Sequence, residues 1–370
     1  MKRFLCLIIA FTLLLAGCAA AQQPESTAPA PADVPAADPH ALRLTQEENV
    51  RKATYENKDA YADFLTRNEK LFVIPGLKQV LTPQGIAVCP NTGSIYISSY
   101  SVDDVPSCIC VVEPDTYRLV AEYYLYTAAG DPFTSHVGGV AVTDSHLYVS
   151  ANKNSSGEYQ IAAIPLTELP AEGAHDISVT EYITMAMSPS MLNYSNGYLW
   201  VGNFYYPSNK SYVLSPNMEY TTTADDGSEY GCYIMGFDLS SGHDRLLGQK
   251  RYPIPDVILA APDRIQGITI TADTNVILSQ SYGRANDATL LHYQVDLTDQ
   301  PDLMLKLDDY EIPAFLLDGH RLVRSINSIP MSEGLATMSD GRVLVLYESG
   351  AIRYEDGKHR TSYVWVLTVE

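Results

Sequence analysis

The chain is short of positive charge. It holds 24 Lys and Arg against 44 Asp and Glu in 370 residues, a formal net charge of −20. Nucleic-acid phosphates are bound by clustered Lys and Arg, and anionic lipid headgroups attract the same basic surfaces. We therefore expect no nucleic-acid partner and no direct attraction of the folded chain to an anionic bilayer surface.

Several motifs that carry chemistry are absent as well. The sequence has no Gly-x-Ser-x-Gly turn, no phosphate-binding glycine loop, no His-Glu-x-x-His helix and no Cys-x-x-Cys pair. Cys108 and Cys110 are separated by one intervening residue, which places both side chains on the same face of a strand. We interpret them, together with Cys89 and Cys232, as buried structural thiols rather than disulfide partners or metal ligands.

The N-terminus has the form of an export signal. Two basic residues precede an apolar run over 4–15 that is too short to span a bilayer comfortably. Leu15-Ala16-Gly17-Cys18 follows, and this box resembles the signal of bacterial lipoproteins, in which the chain is cut before the Cys and its sulfur is lipidated. The resemblance implies a signal peptide over 1–17, a lipid with palmitate-type chains on Cys18, and a domain held outside the cytoplasm in the cell envelope. An ordinary secretory signal, in which Cys18 has no role, is the alternative.

Two segments separate this signal from the main domain. Residues 18–41 are rich in Ala, Pro and Gln and hold few bulky apolar side chains, so we expect a disordered tether. Residues 42–70 form a helical lead-in. Thr45-Gln46-Glu47-Glu48 has the form of a capping box, and apolar residues then recur at helical spacing, which predicts one amphipathic helix over 45–70.

From residue 71 to 370 the apolar period is two, with frequent turns, which predicts an all-β domain. Five units repeat, each with a small-residue strand followed by an apolar strand. The first strands are 83–87, 138–142, 189–192, 266–270 and 333–336, and the second strands are 95–98, 147–150, 199–202, 276–279 and 343–347. Third strands are predicted at 108–112, 159–164, 233–239, 290–295 and 363–369, and fourth strands at 118–126, 179–184, 245–252 and 303–307.

The fifth unit ends before it can form a fourth strand. A spare strand-like segment at 71–80 precedes the first unit, and pairing it with the fifth unit closes a ring. The sequence therefore predicts a five-bladed β-propeller of four-stranded blades, which hides its edges by radial repetition. Six blades, with one blade after Gly202, are the first alternative, and a pair of β-sandwiches is the second.

The residue pattern of these repeated strands resembles that of a known class of propellers. Gly85-Ile86-Ala87 and Leu147-Tyr148-Val149-Ser150 are similar to the repeats of gluconolactonase-like and NHL-type propellers, and the resemblance covers 71–370 at the level of architecture. It implies a divalent metal bound by Glu, Asn and Asp, for which Glu333 and Asn203 are the matching residues. Gln84 and Gln266 stand where further charge is needed, so we expect no resident cofactor and regard calcium as weakly supported.

Propeller topology brings the starts of the first strands and the ends of the second strands to one face. A polar and aromatic ring of side chains is therefore predicted there. Its members are Gln84, Ser99, Tyr100, His136, Asn152, Ser190, Asn203, Phe204, Gln266, Ser281, Tyr282, Arg284, Glu333 and Glu348. A long loop near 205–231 adds several Tyr residues to the same face. Such a face is typical of a site for a polar ligand.

Two functions remain open. The first is a monomeric, non-catalytic binding protein for a glycan, a peptide or an envelope partner. The second is a hydrolase of the lactonase or glycosidase type that uses Glu333 with Glu348 or a metal, and with Arg284 nearby. Five-bladed propellers include furanosidases, but those carry three catalytic carboxylates from different blades, and the other strand starts offer no matching Asp.

Overall fold

The computed structural model describes residues 38–370 except 104, 210–211, 213–221, 225–226, 228, 248–250 and 370, and it leaves the side chain of residue 244 undescribed. The predicted signal, Cys18 and nearly all of the predicted tether lie outside the described residues. Residues Pro39–Glu370 form one unit by their internal contacts. Among the residues described, none of the helices has the length and apolar character needed to cross a bilayer.

Short β-strands alternate with turns along almost the whole unit, as the period-two pattern predicts. In chain order the strands are β1 (Asn68–Val73), β2 (Thr82–Val88), β3 (Ile95–Tyr100), β4 (Cys108–Val112), β5 (Leu119–Thr127), β6 (Val140–Val142), β7 (His146–Ala151), β8 (Tyr159–Pro165), β9 (Gly173–Val179), β10 (Glu181–Met185), β11 (Met191–Ser195), β12 (Tyr198–Gly202), β13 (Thr222–Thr223), β14 (Glu229–Tyr230), β15 (Cys232–Asp238), β16 (Val257–Ala261), β17 (Ile265–Ile270), β18 (Asn275–Gln280), β19 (Ala288–Gln294), β20 (Leu303–Leu307), β21 (Tyr310–Leu316), β22 (Leu322–Ser328), β23 (Ser332–Thr337), β24 (Val343–Tyr347) and β25 (Tyr363–Leu367).

These strands build a five-bladed propeller, which confirms the predicted fold. From the axis outward the blades are β2-β3-β4-β5, β6-β7-β8-β10, β11-β12-β15-β16, β17-β18-β19-β22 and β23-β24-β25-β1. Each inner strand contacts the inner strands of both neighbouring blades, and β23 contacts β2, so the ring is closed. The six-blade alternative is wrong, because the described residues after Gly202 form the small β13–β14 hairpin and then rejoin blade three.

The ring closes through an N-terminal strand, but three residues earlier than the sequence predicts. Strand β1 pairs antiparallel with β25, with Glu69 opposite Val366. The predicted segment 71–80 is therefore only partly strand. Its second half turns away at Gly76, which has a φ of +78°, and Leu77 is buried in an apolar cluster formed by blades one and five.

The predicted helix over 45–70 is wrong in extent. The only α-helix among the described residues, α1, spans Ala62–Arg67, and two 3-10 turns at Tyr55–Asn57 and Asp59–Tyr61 precede it. The start of the segment is held by bonds to the blades instead. The side chain of Gln46 donates to the carbonyls of Val73 and Tyr117, and these tertiary bonds replace the helix that the local pattern favours.

Two of the predicted fourth strands are also corrected. Blade three takes β16 as its outer strand, not 245–252. Residues 303–307 do form a strand, β20, but it belongs to a β20–β21 hairpin whose strand β21 pairs parallel with β16 of blade three. Blade four is completed by β22 instead. In the same way, β9, which precedes the outer strand of blade two in the chain, pairs parallel with β5 of blade one. Both additions cover edges that would otherwise expose unpaired backbone groups.

The four described cysteines, Cys89, Cys108, Cys110 and Cys232, are buried and free. This confirms their interpretation as structural thiols. Burial raises the pKa of the Cys108 and Cys232 thiols above the ordinary value, so neither is present as a reactive thiolate near neutral pH.

Glycine marks the points where neighbouring inner strands are closest. A Cβ on Gly139 would lie 2.2 Å from the backbone nitrogen of Leu192 in blade three, and a Cβ on Gly334 would lie 2.7 Å from the backbone nitrogen of Ile86 in blade one. Gly85 and Gly267 are confined in the same way by the next blade. Because the obstructing atoms are backbone, they cannot rotate aside as a side chain can.

Replacing Gly139 with Ala should therefore destabilise the whole ring. We expect Gly139→Ala to lower the free energy of unfolding by about 3 kcal/mol, the scale of overpacking in a rigid core, and thermal denaturation measures it. Gly319→Ala is the control, because a Cβ there meets open space and the backbone has no positive φ, so its midpoint should stay close to that of the wild type. Equal midpoints for the two variants would contradict the close approach of the inner strands.

Candidate functional site

One face of the ring holds a cavity of about 760 Å³. It opens at the side where the inner strands begin and the second strands end, as the topology predicts. The structure brings to it most of the residues that the sequence selects, from all five blades. These are Gln84, Tyr100, His136, Asn152, Ser190, Phe204, Gln266, Tyr282, Arg284, Glu333 and Glu348.

Three of the selected residues do not line this cavity. Ser99 and Ser281 are buried in their blades. Asn203 is buried too, and its amide serves the backbone: its oxygen accepts from the Tyr233 N–H at 2.7 Å and its nitrogen donates to the Gly231 carbonyl at 3.2 Å. The expected pairing of Asn203 with Glu333 as metal ligands is therefore corrected, because Asn203 holds the base of the long loop of blade three.

Other cavity residues were not selected from the sequence. Ser135, Lys153, Tyr159, Met331 and Tyr354 all line the cavity. Tyr354 is the most consequential, since its hydroxyl donates to the Glu348 carboxylate at 2.9 Å. It lies in a 3-10 turn of the loop after β24, six residues beyond Glu348, and strand-end spacing alone gives no signal for such a residue.

A hydrogen-bonded pair of carboxyl groups lies at the base of the cavity. Glu333 is the second residue of β23, the inner strand of blade five, and is 3% exposed, and Glu348 follows the second strand of the same blade. The two side chains are hydrogen-bonded to each other, which requires one of them to carry a proton. The amide nitrogen of Gln84 donates to Glu348 at 2.8 Å, and that of Gln266 donates to Glu333 at 3.2 Å.

The protonation of this pair follows from its surroundings. Burial, and then the neighbouring Glu348, raise the pKa of Glu333 well above its ordinary value. Burial also raises the pKa of Glu348, to about 7, although its bonds from Tyr354 and Gln84 act in the opposite direction. Glu333 is therefore the protonated partner at neutral pH, and the pair as a whole gains or loses its single charge near pH 7.

The cationic groups around the cavity make their closest contacts with residues other than the carboxyl pair. Lys153 lies over the ring of Tyr159, with its Nζ 4.2 Å from the ring centroid. Arg284 forms an ion pair with Asp356 at 2.8 Å and lies over the ring of Tyr354, so it does not neutralise the carboxyl pair. Arg353 donates to the hydroxyl of Tyr100. The His136 ring packs 4.1 Å from the ring of Tyr100, and its burial in the cavity wall, with Arg353 nearby, lowers its pKa to about 4. The His136 side chain is open to the cavity but enclosed by its walls, and this partial desolvation leaves the imidazole neutral at pH 7.

Aromatic rings form the wall at blades three and four. Phe204 packs edge-on against Tyr212 at 4.8 Å, and Tyr206 packs against Tyr282 at 4.6 Å. Tyr212 belongs to the Tyr-rich loop, whereas Tyr205 and Tyr230 of that loop are buried in the core. Tyr220 lies outside the described residues. The wall presents rigid rings beside polar groups, as binding sites for small ligands commonly do.

The donors at the base do not fit a tight calcium site. Calcium takes six to eight oxygen ligands and prefers several charged carboxylates. Here the two carboxyls share one proton, and both Gln side chains present amide nitrogens to them. These contacts satisfy a protonated pair, so we derive no metal-dependent step at this cavity.

No protein family matches the chain, and no curated protein matches it. Solved structures give remote likenesses. A gluconolactonase from Xanthomonas campestris is 11% identical, with 91% of this chain and 99% of that one covered and a TM-score of 0.35. A GH43_1 enzyme from Xanthomonas citri, complexed with xylose, is 10% identical over 77% and 87% of the chains, with a TM-score of 0.39.

A hydrazine synthase chain from Kuenenia stuttgartiensis is 13% identical, with 73% of this chain covered and a TM-score of 0.33. The alignment spans only 57% of that longer chain. All three TM-scores are below 0.5, so these likenesses carry no inference about activity. The fold and the cavity by themselves define a five-bladed propeller with a polar and aromatic site at one face.

The carboxyl pair makes stability depend on pH. A glutamic acid in the unfolded chain ionises near 4.5, whereas Glu348 in the folded chain ionises near 7. Between these values the folded state holds more protons than the unfolded state, so this contribution to stability falls as the pH rises from 4.5 to 7. Glu333 extends the same loss to higher pH.

We expect the double variant Glu333→Gln/Glu348→Gln to lose this dependence. The difference in melting temperature between wild type and variant should fall from pH 5 to pH 8, when both are measured by thermal denaturation in the same buffers. Glu311→Gln, at an exposed position on β21, is the control and should follow the wild type. A difference that is constant with pH would show that the two carboxyls do not share a proton.

Proposed function

We propose that this protein is an envelope-anchored binding protein that holds a small, polar, uncharged ligand in the cavity of its propeller, with a glycan as the best-fitting class. The observation that carries the proposal is the combination of an aromatic wall with a base of hydrogen-bonding groups that together carry at most one charge near neutral pH. Sugars offer the matching surfaces, since their C–H faces pack on aromatic rings while their hydroxyls bond to amides and carboxyls.

The small net charge of the cavity lining favours an uncharged ligand. The chain has a large excess of acid, but the acid groups that line the cavity are a pair with at most one charge near neutral pH. The two cationic residues of the described lining are separate, since Arg284 is paired with Asp356 and Lys153 lies over the ring of Tyr159. A strongly cationic or anionic ligand would therefore find no matching cluster of opposite charge among the described lining residues.

The volume of the cavity favours a small ligand over a macromolecule. Cavities of roughly 300 to 1,000 Å³ suit ligands of drug or oligosaccharide size, and this one measures about 760 Å³. A short peptide also fits that volume. An envelope protein would instead have to bind over the rim and insert one side chain or a chain end.

The anchor belongs to the same proposal. The Leu15-Ala16-Gly17-Cys18 box supports lipidation of Cys18, and the composition of 18–41 supports a flexible tether. A monomeric domain on such a tether, with a strongly anionic body, would be repelled by an anionic bilayer and would face outward towards its ligand.

A second function is favoured by one observation, the raised pKa of the carboxyl pair. A base that ionises near pH 7 and a neighbouring acid that stays protonated suit general acid–base hydrolysis, for example of a lactone. The spacing argues against a two-carboxylate glycosidase, because the carboxyls of those enzymes are roughly 5 Å or more apart and these two are hydrogen-bonded to each other.

A screen of glycans and metabolites by calorimetry tests the binding proposal. For a ligand that binds, we expect Tyr282→Ala to weaken affinity about tenfold, because it removes a central ring of the aromatic wall. Tyr310→Ala is the control, since Tyr310 is exposed on the β20–β21 hairpin and does not line the cavity. Binding that is unchanged by Tyr282→Ala would place the ligand elsewhere.

Glu333→Gln separates the two functions. A binding protein should retain the ligand within about tenfold and show no turnover, because glutamine preserves the size and much of the hydrogen bonding of the protonated acid. A hydrolase should lose at least ~100-fold in turnover on a panel of lactones and glycosides, since the acid is lost. Hydrolysis that depends on Glu333 would overturn the binding-only proposal.

A further inference from the structure

A second group of polar side chains lies between blades two and three, at the face opposite the cavity. His146 begins β7, Glu181 begins β10, and His243 begins a 3-10 turn at His243–Leu246 after β15. One ligating atom of each residue lies within 4.8 Å of those of the other two. These residues come from two blades and are 97 positions apart at the extremes (243 − 146), so the packing of blade two beside blade three brings them together.

Strand register explains why two of them point the same way. Ala163 of β8 is paired with Tyr148 on one side and with Glu181 on the other. Residues opposite one another in a sheet project to the same side, and His146 is two residues before Tyr148 on the same strand. His146, Tyr148 and Glu181 therefore all project towards blade three, from which His243 arrives.

Neighbouring hydroxyls hold both imidazoles in place. The Ser145 hydroxyl contacts Nδ1 of His146 at 2.8 Å, and the Tyr148 hydroxyl contacts Nδ1 of His243. Nε2 of His243 lies 2.7 Å from Glu181 Oε1. The two rings are stacked, with centroids 3.8 Å apart and planes inclined by 21°. Metal-binding histidines are commonly oriented through the nitrogen that does not bind the metal, as Nδ1 is here.

We propose that His146, Glu181 and His243 form a binding site for one divalent transition-metal ion, with zinc the best match, and that this ion links blade two to blade three. Two imidazoles and one carboxylate are a donor set that suits zinc, with water as a fourth ligand. The arrangement lies at a blade interface and is separate from the carboxyl pair of the cavity.

Zinc binding requires a local rearrangement, because the stacked rings of His146 and His243 must turn until a nitrogen of each points to the same ion. With bonds of roughly 2.1 Å to each ligand, tetrahedral zinc holds its ligand atoms roughly 3.4 Å apart. The contact between His243 and Glu181 must lengthen from 2.7 Å, and the longest separation in the group must shorten from at most 4.8 Å. Glu181 is 30% exposed at its side chain, so it has room to rotate.

Tyr148 can support both states of His243. A hydroxyl donates one hydrogen bond and accepts others. When Nε2 of His243 binds zinc, its proton resides on Nδ1, which then donates to the Tyr148 oxygen.

The test is a zinc titration of the purified protein without a polyhistidine tag, after removal of metal with a chelator. We expect one equivalent of zinc to bind and to raise the melting temperature, because a ligand that binds only the folded state stabilises it. Cobalt should bind at the same site and show the visible absorption of a four-coordinate ion. His243→Gln should weaken zinc affinity at least ~10-fold, and Tyr148→Phe about tenfold, the scale on which orienting partners act.

Two controls make the test specific. His320→Gln changes an exposed histidine in a distant loop, and Glu333→Gln/Glu348→Gln removes the carboxyls of the cavity. Both should bind zinc as the wild type does. Melting curves in chelator show whether each variant is folded. If His243→Gln does not fold, Glu181→Gln, at a partly exposed position, replaces it as the test variant.

Several outcomes would overturn the proposal. One is a wild type that binds no more zinc than His243→Gln or Glu181→Gln. Another is a melting temperature that neither zinc nor chelator changes while His243→Gln lowers it, since that pattern means a hydrogen-bonded blade contact without a metal. Loss of zinc binding in Glu333→Gln/Glu348→Gln would move the metal to the cavity.

Discussion

The close approach of five inner strands around one axis is the constraint on which the rest of the structure depends. Gly139 and Gly334 are held against the backbone of the next blade, and no larger residue fits there. Because the strands meet so tightly, the residues at their starts also converge. Gln84, Gln266 and Glu333 directly precede Gly85, Gly267 and Gly334, which are confined in the same way, so packing at the axis determines what lies at the base of the cavity.

Convergence also explains the chemistry of the carboxyl pair. Water is excluded where the strands crowd, and desolvation is the largest contribution to the raised pKa of both Glu333 and Glu348. An isolated buried carboxylate would be costly, but sharing a proton and accepting bonds from Gln84, Gln266 and Tyr354 leaves at most one charge to stabilise. The pair is thus a consequence of the ring and not an isolated feature of blade five.

Sequence patterns predicted the features that repeat and missed those that depend on contacts distant in the chain. The inner and second strands recur with small residues and alternating apolar residues, so the blades and most of the cavity residues could be located. The helix over 45–70 was wrong because Gln46 bonds to β1 and to the turn at Tyr117. Asn203 was misplaced because strand-end position does not reveal that its amide serves Gly231 and Tyr233. His146, Glu181 and His243 do not form a short sequence motif. The register of β8, in which Ala163 pairs with both Tyr148 and Glu181, is what places His146 and Glu181 on one face.

Blade three departs from the repeat, and this asymmetry gives the cavity two unlike sides. In blades one and two a glycine N–H on the inner strand bonds to a serine hydroxyl on the second strand, as Gly85 does with Ser98. Blade three has Met191 at that place, and Gly202 on its second strand supplies the space, since a Cβ there would lie 2.8 Å from the Met191 side chain. The second strand then leads to Phe204 and the aromatic wall, while blade five supplies the acids and blades one and four supply the amides. A ligand with one apolar face and one hydroxylated face would bind there in a single orientation, and a ring of identical blades would not impose one.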